Sequence, residues 1–448
     1  MASKRKLISG GAILTMDPAV GDLARGDILI DDGRIVAIAP SIDAADAERI
    51  EASGSIVIPG LIDTHRHTWQ SALRHRLGDE DFVGYGCAML RGIGPLYTAE
   101  DVRIGTLLGA VAALESGTTT LLDWSHALNT PAHADAAIEA LRASGIRSIF
   151  AQGWSRSDGR NWTRNSELRH PDDLIRVRRE VLSSDAALVT HAMAGRGPEM
   201  TTIDVVKQDF ELARELGIRI SMHVGVRDFG PKFRAVEAMA KAGVLGVDLT
   251  LIHVCACSAH EFQLMAEHGV SASVGPQSEM MIDGCGVPAV GRLLAAGIKP
   301  SLSGDTEVCG TGDLFTQMRM ALAAERLLTA NRLLPDAVPP VKVRDALEFA
   351  TLVGAQACGL EARIGSLTVG KDADVVIVRG TDLNLAPVSD PVGAIVLAAH
   401  PGNVDTVLVR GELKKRHGKL VGVDLPKLLR EATQSRDELL KRAASLQS

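Results

Sequence analysis

The sequence Val57-Ile58-Pro59-Gly60-Leu61-Ile62-Asp63-Thr64-His65-Arg66-His67 runs from apolar residues directly into two histidines. The apolar run predicts a buried strand. Residues two apart in a strand point to the same face, so His65 and His67 should both face one spot at the strand's end. Such a pair of imidazoles can bind a metal ion. Two surface histidines would give the same short pattern, so the rest of the chain must decide between the two interpretations.

Length and composition indicate a large globular protein. The chain has 448 residues, 46% of them apolar and 23% charged, which suits one large barrel plus a smaller module. The net charge is −7, so we expect no nucleic-acid partner. The basic segment Met1–Leu7 is not followed by an apolar segment, and no apolar run reaches the roughly 18 residues of a membrane span. We therefore expect neither a signal peptide nor a membrane partner.

The cysteines show no disulfide framework. The chain has six of them, at scattered positions: Cys87, Cys255, Cys257, Cys285, Cys309 and Cys358. The pair Cys255-x-Cys257 has no second pair with which to form a zinc knot. This usage predicts reduced thiols in a cytoplasmic protein.

Apolar runs alternate with helical stretches between residue 58 and about residue 365. After the first run at 57–62, seven more follow, at Thr118–Trp124, Arg147–Gly153, Ala187–Ala192, Ile218–Val224, Leu249–Val254, Val270–Val274 and Ile298–Ser303. Strands alternating with helices predict a parallel sheet, and eight such units over this length predict a closed (β/α)8 barrel.

Short strand-like runs without helices flank this region on both sides. Residues 5–56 carry three of them, with a hairpin turn at Asp31-Asp32-Gly33. Similar runs return at 373–378 and 404–411, and a charged amphipathic helix is predicted over Pro426–Leu446.

These patterns place the chain in the α/β class. We predict a (β/α)8 barrel domain over residues 58–365 and a composite β-sandwich domain built from residues 1–57 and 366–448. The sandwich draws on both chain ends because the two β-rich segments flank the barrel in sequence.

Several predicted strands end in side chains that bind metal ions. The first ends in His65 and His67, the fifth in His223, the sixth in His253 and the eighth in Asp305. Strand ends meet at the carboxyl-terminal face of a barrel, where active sites of this fold lie. One histidine in such a place is usually a hydrogen-bonded core residue, but five ligand-type residues in register predict a metal site.

These strand ends, with three further motifs, resemble the amidohydrolase superfamily, in particular the branch of cytosine, guanine and methylthioadenosine deaminases and triazine hydrolases. Pro59–His67 resembles the first-strand motif of that family, and Gly117-Thr118-Thr119-Thr120 resembles its second-strand entry. Gly365–Asp374 is similar to the signature where the flanking β-sandwich resumes. The resemblance covers nearly the whole chain and is specific for the superfamily rather than for a substrate.

The resemblance implies a hydrolase that uses one divalent ion, Zn²⁺ in the first place and Fe²⁺ as the alternative. Four ligands are implied for this ion: His65, His67, His223 and Asp305. Asp305 would also act as general base, and His253 would orient the attacking water or polarise the substrate. Binuclear relatives generally carry a bridging lysine or another ligand near the end of the fourth strand. Leu188–Gly195 has no lysine, which favours a single ion.

One position departs from the pattern of this branch. Many of its deaminases carry a glutamate three residues after the fifth-strand histidine, which passes protons to the leaving amine, but here Val226 occupies that position. Glu279, in the loop after the seventh strand, or His126, at the end of the second, could replace it, and either could equally be structural. A leaving group that needs little protonation, or transfer of the proton by Asp305, would remove the need for a replacement.

Residues beside the strand ends are candidates for substrate contacts. Trp69, Gln70 and Trp124 are predicted to line the mouth of the site, where they would offer stacking surface and an amide to a planar ligand. Tryptophans that merely pack the barrel against its loops are the alternative. Arg196 follows the fourth strand at a position where relatives often contact substrate.

Other charged residues near the strand ends receive no role in catalysis. We expect the loop arginines Arg91, Arg156 and Arg160 on the solvated surface. Asp123 could support the site from behind or cap a helix, and the sequence leaves both open.

Three functions follow for further testing. The first is a mononuclear metal hydrolase that cleaves a C–N bond of a small cyclic or aromatic nitrogen compound. The second keeps the metal and changes the bond, to hydrolytic dehalogenation or to cleavage of an amide, urea or carbamate. The third is a catalytically silent scaffold, against which the complete ligand set argues. In each case we expect a homo-oligomer, a dimer or larger, with a small molecule as its only other partner.

Overall fold

A computed structural model describes residues 5–282, 284–333 and 340–445. Five strands open the chain: β1 Lys6–Ile13, β2 Leu23–Asp31, β3 Arg34–Ala39, β4 Glu48–Glu51 and β5 Ser55–Pro59. β1 pairs antiparallel with β2 and parallel with β4 and β5. β2 and β3 form the predicted hairpin, in which Asp32 and Gly33 both have positive φ, 44° and 79°. Positive φ at both central residues is what a two-residue type I′ turn requires.

The barrel follows with eight strands. These are β6 Leu61–Arg66, β7 Thr118–Ser125, β8 Arg147–Gln152, β9 Val189–Gly195, β10 Arg219–Val224, β11 Leu249–His253, β12 Ser271–Val274 and β13 Ser301–Leu302. Neighbours pair in parallel and in chain order. Every residue of β6, β7, β8 and β11 is buried, as expected where helices cover a parallel sheet. The predicted (β/α)8 barrel is confirmed.

Four more strands return to the first sheet: β14 Val375–Arg379, β15 Val404–Val409, β16 Glu412–Arg416 and β17 Lys419–Leu420. β14 pairs antiparallel with β5, which joins both chain ends into one nine-stranded sheet. Side chains from both ends, such as Ile28 and Ile377, share one apolar core. The prediction of a β-rich unit built from both ends is confirmed, while the domain boundaries at 57/58 and 365/366 stay a prediction.

Sixteen α-helices occur among the described residues. They are α1 Phe82–Tyr85, α2 Ala99–Glu115, α3 Pro131–Ser144, α4 Gly159–Thr163, α5 Asp173–Arg176, α6 Ile203–Glu215, α7 Phe229–Phe233, α8 Ala235–Lys241, α9 Ala259–Glu267, α10 Pro276–Met281, α11 Val290–Ala295, α12 Leu314–Ala330, α13 Val343–Phe349, α14 Leu352–Ala357, α15 Pro391–Gly393 and α16 Leu425–Ser445. Short 3₁₀ segments cover Thr68–Leu73, Gly94–Leu96 and Pro401–Asn403, and π-helical segments cover Gly86–Ile93, Val177–Val181 and Ala394–Ala398.

Helix α16 is the predicted C-terminal amphipathic helix, and it buries Leu428 and Leu439. Leu446, where that prediction ended, lies outside the described residues, as do Met1–Lys4 of the basic N-terminal segment. In the described part of the chain, none of the helices combines the length and apolar character needed to span a bilayer. All six cysteines are free thiols.

The stretch that opens the analysis is two strands rather than one. Ile58 pairs with Val376 in the terminal sheet, whereas Leu61 pairs with Thr118 in the barrel. Gly60 lies between them and donates its N–H to the carbonyl of Asp374. A Cβ atom on Gly60 would lie 1.9 Å from Thr119 Oγ1, so only glycine allows the chain to cross here. The prediction of one buried strand over the whole run is therefore wrong, because the run is divided between two sheets.

The barrel closes at a short seam between its first and last strands. β13 has only two residues, and the contact with β6 continues beyond it through a backbone bridge between Arg66 and Asp305. His67 N–H donates to Asp305 O at 2.8 Å, and Asp305 N–H donates to His65 O at 3.0 Å. The seam thus brings the histidines of the first strand beside the aspartate that follows the last one.

A buried ion network joins the amino-terminal end of the barrel to the terminal sheet. Arg147, the first residue of β8, donates to Asp374 Oδ2 at 2.9 Å and to Asp372 Oδ2 at 2.9 Å. All three side chains are buried. Asp374 also accepts the N–H of Arg410 at 2.7 Å. Charged groups so fully removed from water need such partners.

Candidate active site

Four predicted metal ligands meet at the carboxyl-terminal face of the barrel. His65 Nε2 lies 3.2 Å from His223 Nε2 and 3.3 Å from Asp305 Oδ1. His67 Nε2 lies 3.7 Å from the same carboxylate oxygen. His253 joins His65 and His223 in a second group, whose ligand atoms lie within 4.8 Å of one another. The structure therefore brings together all five residues that the strand ends placed at this site.

The spacing of these atoms suits one small divalent ion. Ligand atoms bonded at 2.0–2.1 Å to a tetrahedral ion are about 3.3–3.4 Å apart, close to the two shortest separations here. Two imidazole nitrogens that face each other need a proton or a cation between them, since their lone pairs repel. The nitrogen-rich donor set with one carboxylate is one that zinc and ferrous iron both accept.

A backbone carbonyl fixes the orientation of His67. Its Nδ1 lies 2.8 Å from Trp124 O, and because a carbonyl only accepts, Nδ1 carries the hydrogen and Nε2 keeps its lone pair. Trp124 is held in turn by donation from its Nε1 to Ser221 O at 3.1 Å. Its ring packs 4.3 Å from the His223 ring, centroid to centroid. Trp124 therefore supports the histidines directly and forms one wall of the site.

Burial and charge give the ligand-type side chains the protonation states that metal binding needs. Burial lowers the pKa of His65 and His223, and it lowers that of His67 to about 3. Burial alone would raise the pKa of Asp305, but its hydrogen bond with His65 and the nearby histidines hold it well below its usual range. The four predicted ligands thus present three neutral imidazoles and one ionised carboxylate.

Glu279 positions His253. Its Oε1 lies 3.1 Å from His253 Nδ1 and accepts the N–H of Gly275 at 2.8 Å. Burial opposes protonation of His253, but the hydrogen bond to Glu279 and the nearby acidic groups raise its pKa to about 10. The other oxygen, Oε2, is buried without a partner among the described residues. These contacts make Glu279 a positioning residue for His253, and its role as a proton donor stays a prediction.

His126 stands behind His67 in an aromatic enclosure. The two rings are 4.5 Å apart, and Trp124 and Trp154 lie 4.8 Å and 6.0 Å from His126. Burial and the charge of Arg156 lower the pKa of His126 well below its usual value. The imidazole is therefore neutral, and a role in proton transfer stays a prediction.

Trp69 and Gln70 lie beneath the loops, fully buried. The Trp69 ring packs against Tyr97 at 4.9 Å. Gln70 donates from Nε2 to Tyr85 Oη at 2.9 Å and accepts from Thr306 Oγ1 at 2.5 Å. This packing is the alternative that the sequence left open for the tryptophans, and substrate contact by either residue stays a prediction.

Arg196 is engaged with the protein itself. Its guanidinium donates to Asp209 Oδ2 and to Leu168 O, both at 2.7 Å, and lies 4.8 Å from the centre of the Trp162 ring. The side chain is fully buried and its charge is compensated. A substrate contact for Arg196 stays a prediction. The contacts with Asp209, Leu168 and Trp162 account for its charge without one.

Arg156 requires a correction. It was expected on the solvated surface, where Arg91 and Arg160 do lie, but it is only 6% exposed. Its Nε donates to His126 O at 2.8 Å, and the guanidinium lies 5.3 Å from the Trp154 ring centre. The loop after β8 folds back over the aromatic enclosure, a tertiary contact that single-sequence reasoning does not see.

Asp123 supports the segment that follows the metal-site histidines. Its Oδ1 accepts from Thr68 Oγ1 at 2.6 Å and from the Thr68 N–H at 3.3 Å, so it holds the start of the 3₁₀ segment Thr68–Leu73. Burial raises its pKa to about 7.

Sequence reasoning missed Glu199. This residue follows β9 by four positions, and its Oε1 accepts the N–H of Gly225, just beyond the end of β10, at 2.7 Å. Burial is the main cause that raises the pKa of Glu199 to about 7. Its place in a strand-to-helix loop at the carboxyl-terminal face was the available signal, since polar residues of such loops build active sites in this fold.

Comparison with known proteins identifies relatives along nearly the whole chain. The model of the amidohydrolase family matches residues 56–414. The 5'-deoxyadenosine deaminase of Methanosarcina mazei is 28% identical, over 98% of this chain and 99% of that protein. The 5-methylthioadenosine/S-adenosylhomocysteine deaminase of Desulforudis audaxviator is 28% identical, over 95% and 97% of the two chains.

Solved structures share the same fold. An adenosine deaminase from Xanthomonas campestris with bound zinc matches with a TM-score of 0.84 at 23% identity, over 98% of this chain and 99% of that one. The atrazine chlorohydrolase of Arthrobacter aurescens, complexed with zinc, matches with a TM-score of 0.84 at 21% identity, over 96% and 100%. At these identities the likeness establishes the architecture alone.

Proposed function

This chain belongs to the amidohydrolase family, and we propose that it is a mononuclear metal-dependent hydrolase of a C–N bond in a small cyclic or aromatic nitrogen compound. The observation that carries the proposal is the convergence of His65, His67, His223 and Asp305 within 3.2–3.7 Å contacts at the barrel seam. The two deaminase relatives act, by their names, on adenosine analogues, which supports a nitrogen heterocycle as substrate.

The implied cofactor is one divalent ion, Zn²⁺ or alternatively Fe²⁺, held by the same four side chains. Zinc is named with two enzymes of similar fold, which supports the first choice. A bound divalent cation makes a water molecule acidic enough to lose a proton near neutral pH.

Asp305 and His253 have different roles in the proposed reaction. Asp305 is ionised and its Oδ1 lies 3.3 Å from His65 Nε2, within the histidine cluster, so its carboxylate can accept a proton from a water bound beside it. His253, oriented by Glu279, presents the other edge of its ring toward His65 and His223. From there it can donate a hydrogen bond to negative charge that develops on the substrate.

A second candidate function follows from Val226. Its side chain packs with Ile282 and Cys285 in a small apolar cluster, so that position cannot transfer protons. A hydrolytic dehalogenase, whose leaving halide needs no proton, would have no use for an acid there. The alternative also includes cleavage of an amide, urea or carbamate by the same metal site.

A substrate panel read together with metal analysis tests the proposal. Purified protein of known metal content is incubated with 5'-deoxyadenosine, 5'-methylthioadenosine and s-triazines that carry amino, methoxy or chloro groups. Release of ammonia or an amine, with close to one metal ion per chain, supports a C–N hydrolase. Halide release alone would favour the second candidate, and two tightly bound ions would overturn the mononuclear assignment. No product from any compound, despite full metal content, would point to a silent scaffold.

Localisation and oligomeric state complete the proposal. The free thiols support a cytoplasmic enzyme, as expected in a reducing compartment. A homo-oligomer, a dimer or larger, stays a prediction, which sedimentation of the metal-loaded protein would check.

A further inference from the structure

Arg156 differs from the other buried arginines of the described chain in having no carboxylate partner. Three arginines besides Arg156 are buried, and each forms an ion pair at 2.7–2.9 Å: Arg66 with Asp63, Arg147 with Asp372 and Asp374, and Arg196 with Asp209. Within residues 5–282, 284–333 and 340–445, Arg156 forms no ion pair. Because an unpaired buried charge is costly, its presence indicates that a ligand supplies the partner.

Most of the hydrogen-bonding capacity of Arg156 is unused. A guanidinium carries N–H donors on each of its nitrogens. Nε donates to His126 O at 2.8 Å, whereas the two Nη atoms have no hydrogen-bond partner among the described residues. Arg156 has no side-chain nitrogen that is both fully enclosed and without a partner, so these two Nη atoms border a solvent-accessible space. The contact of Cζ with the Trp154 ring, at 5.3 Å, leaves these donors free for a ligand.

These donors lie beside the candidate metal site. The ring of His126, whose carbonyl oxygen binds Arg156, is 4.5 Å from the ring of the predicted ligand His67. The Trp154 ring, which contacts the guanidinium, is 6.0 Å from the His126 ring. On the other side, a Cβ atom on Gly94 would lie 3.0 Å from Arg156 Cγ. Arg156 therefore stands between the loops that follow β6, β7 and β8, close to the predicted ligands.

Hydrogen bonds from Asn129 fix the backbone around Arg156. Asn129 Oδ1 accepts the N–H groups of Arg156 and Ser157, at 2.9 Å and 3.2 Å, and the hydroxyl of Ser155 at 3.2 Å. Asn129 Nδ2 donates to Gly94 O at 3.2 Å, which ties the same loop to the one after β6. The cation is thus held in place without a ligand, and such preorganisation lowers the entropic cost of binding one.

The charge of Arg156 suits an anion with a single negative charge. Burial lowers the pKa of Arg156 to about 10, so the guanidinium is still a cation at neutral pH. A carboxylate carries one charge and offers two oxygens, which match two parallel N–H groups of a guanidinium.

We infer that Arg156 is a substrate-binding residue, and that it binds a carboxylate carried by the substrate. The inference rests on the proposed C–N hydrolysis and narrows its substrate class to nitrogen heterocycles that bear a carboxylate. The carboxylate takes no part in the bond changes. It fixes the position of the ring by an ion pair at the edge of the site.

The test compares an acid with its uncharged amide. Adenosine 5'-carboxylate and adenosine 5'-carboxamide have nearly the same shape, and an s-triazine that carries glycine or glycinamide on one amino group gives a second such pair. The metal-loaded enzyme is titrated with each compound. The dissociation constant is measured where there is no turnover, and KM and kcat are measured separately where there is. We expect each acid to bind about 10-fold or more tightly than its amide.

Arg156→Met removes the charge and keeps an apolar side chain against Trp154. In this variant the acid and the amide should bind equally, and the change should appear in KM or the dissociation constant rather than in kcat. Arg156→Lys keeps the charge without the paired donors and should retain part of the preference. Arg160→Met is the matched control, because Arg160 lies in the same loop but is exposed, and the full preference should remain. Metal content and thermal unfolding are measured for every variant.

Equal binding of acid and amide by the unmodified enzyme would overturn the role of Arg156, and this result does not depend on whether Arg156→Met folds. A preference that persists in Arg156→Met would also overturn it, since the carboxylate would then bind elsewhere, such as at the metal ion. Tighter binding of adenosine 5'-monophosphate than of the 5'-carboxylate would overturn the choice of a carboxylate. If the acids are preferred but no compound is hydrolysed, the proposed function fails while the binding role of Arg156 stands.

Discussion

Both ends of the barrel bury charged side chains, and they do so in opposite ways. At the amino-terminal end, Arg147 lies between Asp372 and Asp374, with donor–acceptor distances of 2.9 Å to each. At the carboxyl-terminal end, His65 Nε2 lies 3.2 Å from His223 Nε2, and the Nε2 atoms of His65 and His67 lie 3.3 Å and 3.7 Å from Asp305 Oδ1. One cluster is balanced within the chain. The other turns its lone pairs toward a position that a bound cation would fill. This difference distinguishes a structural ion network from a binding site.

Removing a predicted ligand histidine at the carboxyl-terminal end of the barrel should give the largest effect. His65→Ala takes away the nitrogen that contacts both His223 and Asp305, so we expect the bound metal, close to one per chain, to be lost together with all activity. Elemental analysis after gel filtration measures it. Retention of one tightly held ion in this variant, or in His223→Ala, would mean that the two clusters do not differ as described.

Replacing the carboxylate should separate binding from chemistry. Asp305→Asn keeps the shape of the side chain and removes its basicity, so turnover should fall by about 100- to 10,000-fold, far beyond any loss of metal. Rates are compared at equal metal content. A fall in rate no larger than the fall in bound metal would reduce Asp305 to a ligand only.

At the amino-terminal end of the barrel, removing the Arg147 cation should lower stability and leave catalysis unchanged. Arg147→Met leaves Asp374 buried without its cation and leaves Asp372 with Arg363 alone, at 3.3 Å, which should cost about 3–5 kcal/mol in the free energy of unfolding. Denaturant titration measures the loss, while metal content and the rate per folded molecule should be unchanged. A specific loss of metal in this variant would show that the two ends are coupled.

The smallest effect is expected from the residue that positions His253. Glu279→Gln should lower the rate by about 10- to 100-fold, as is usual for groups that orient a residue of a metal site. The loss should be uniform across leaving groups, because Glu279 acts by orienting His253. A loss confined to poor leaving groups would make Glu279 the acid instead.

The sequence predicted the regular part of the molecule and the site built upon it. Alternating strands and helices identified the barrel, and because strand ends meet at one face, His65, His67, His223, His253 and Asp305 could be placed together before any coordinates. Contacts that cross between loops could not be predicted in this way. Arg156 is buried only because its loop folds over Trp154, and Glu199 reaches a neighbouring strand. The division at Gly60 depends on Asp374, far away in the sequence.

The seam of the barrel links assembly to metal capture. Residues that lie near the beginning and the end of the barrel sequence meet there through two backbone hydrogen bonds, and the same residues, His65, His67 and Asp305, offer their side chains to the proposed ion. The site therefore does not exist until the last strand has docked, and a bound ion stabilises the docked state over the open one. During synthesis, the chain can acquire its metal only after the eighth strand has been made. A bound ion would hold the first and last strands together, and metal depletion should first loosen the barrel at this seam.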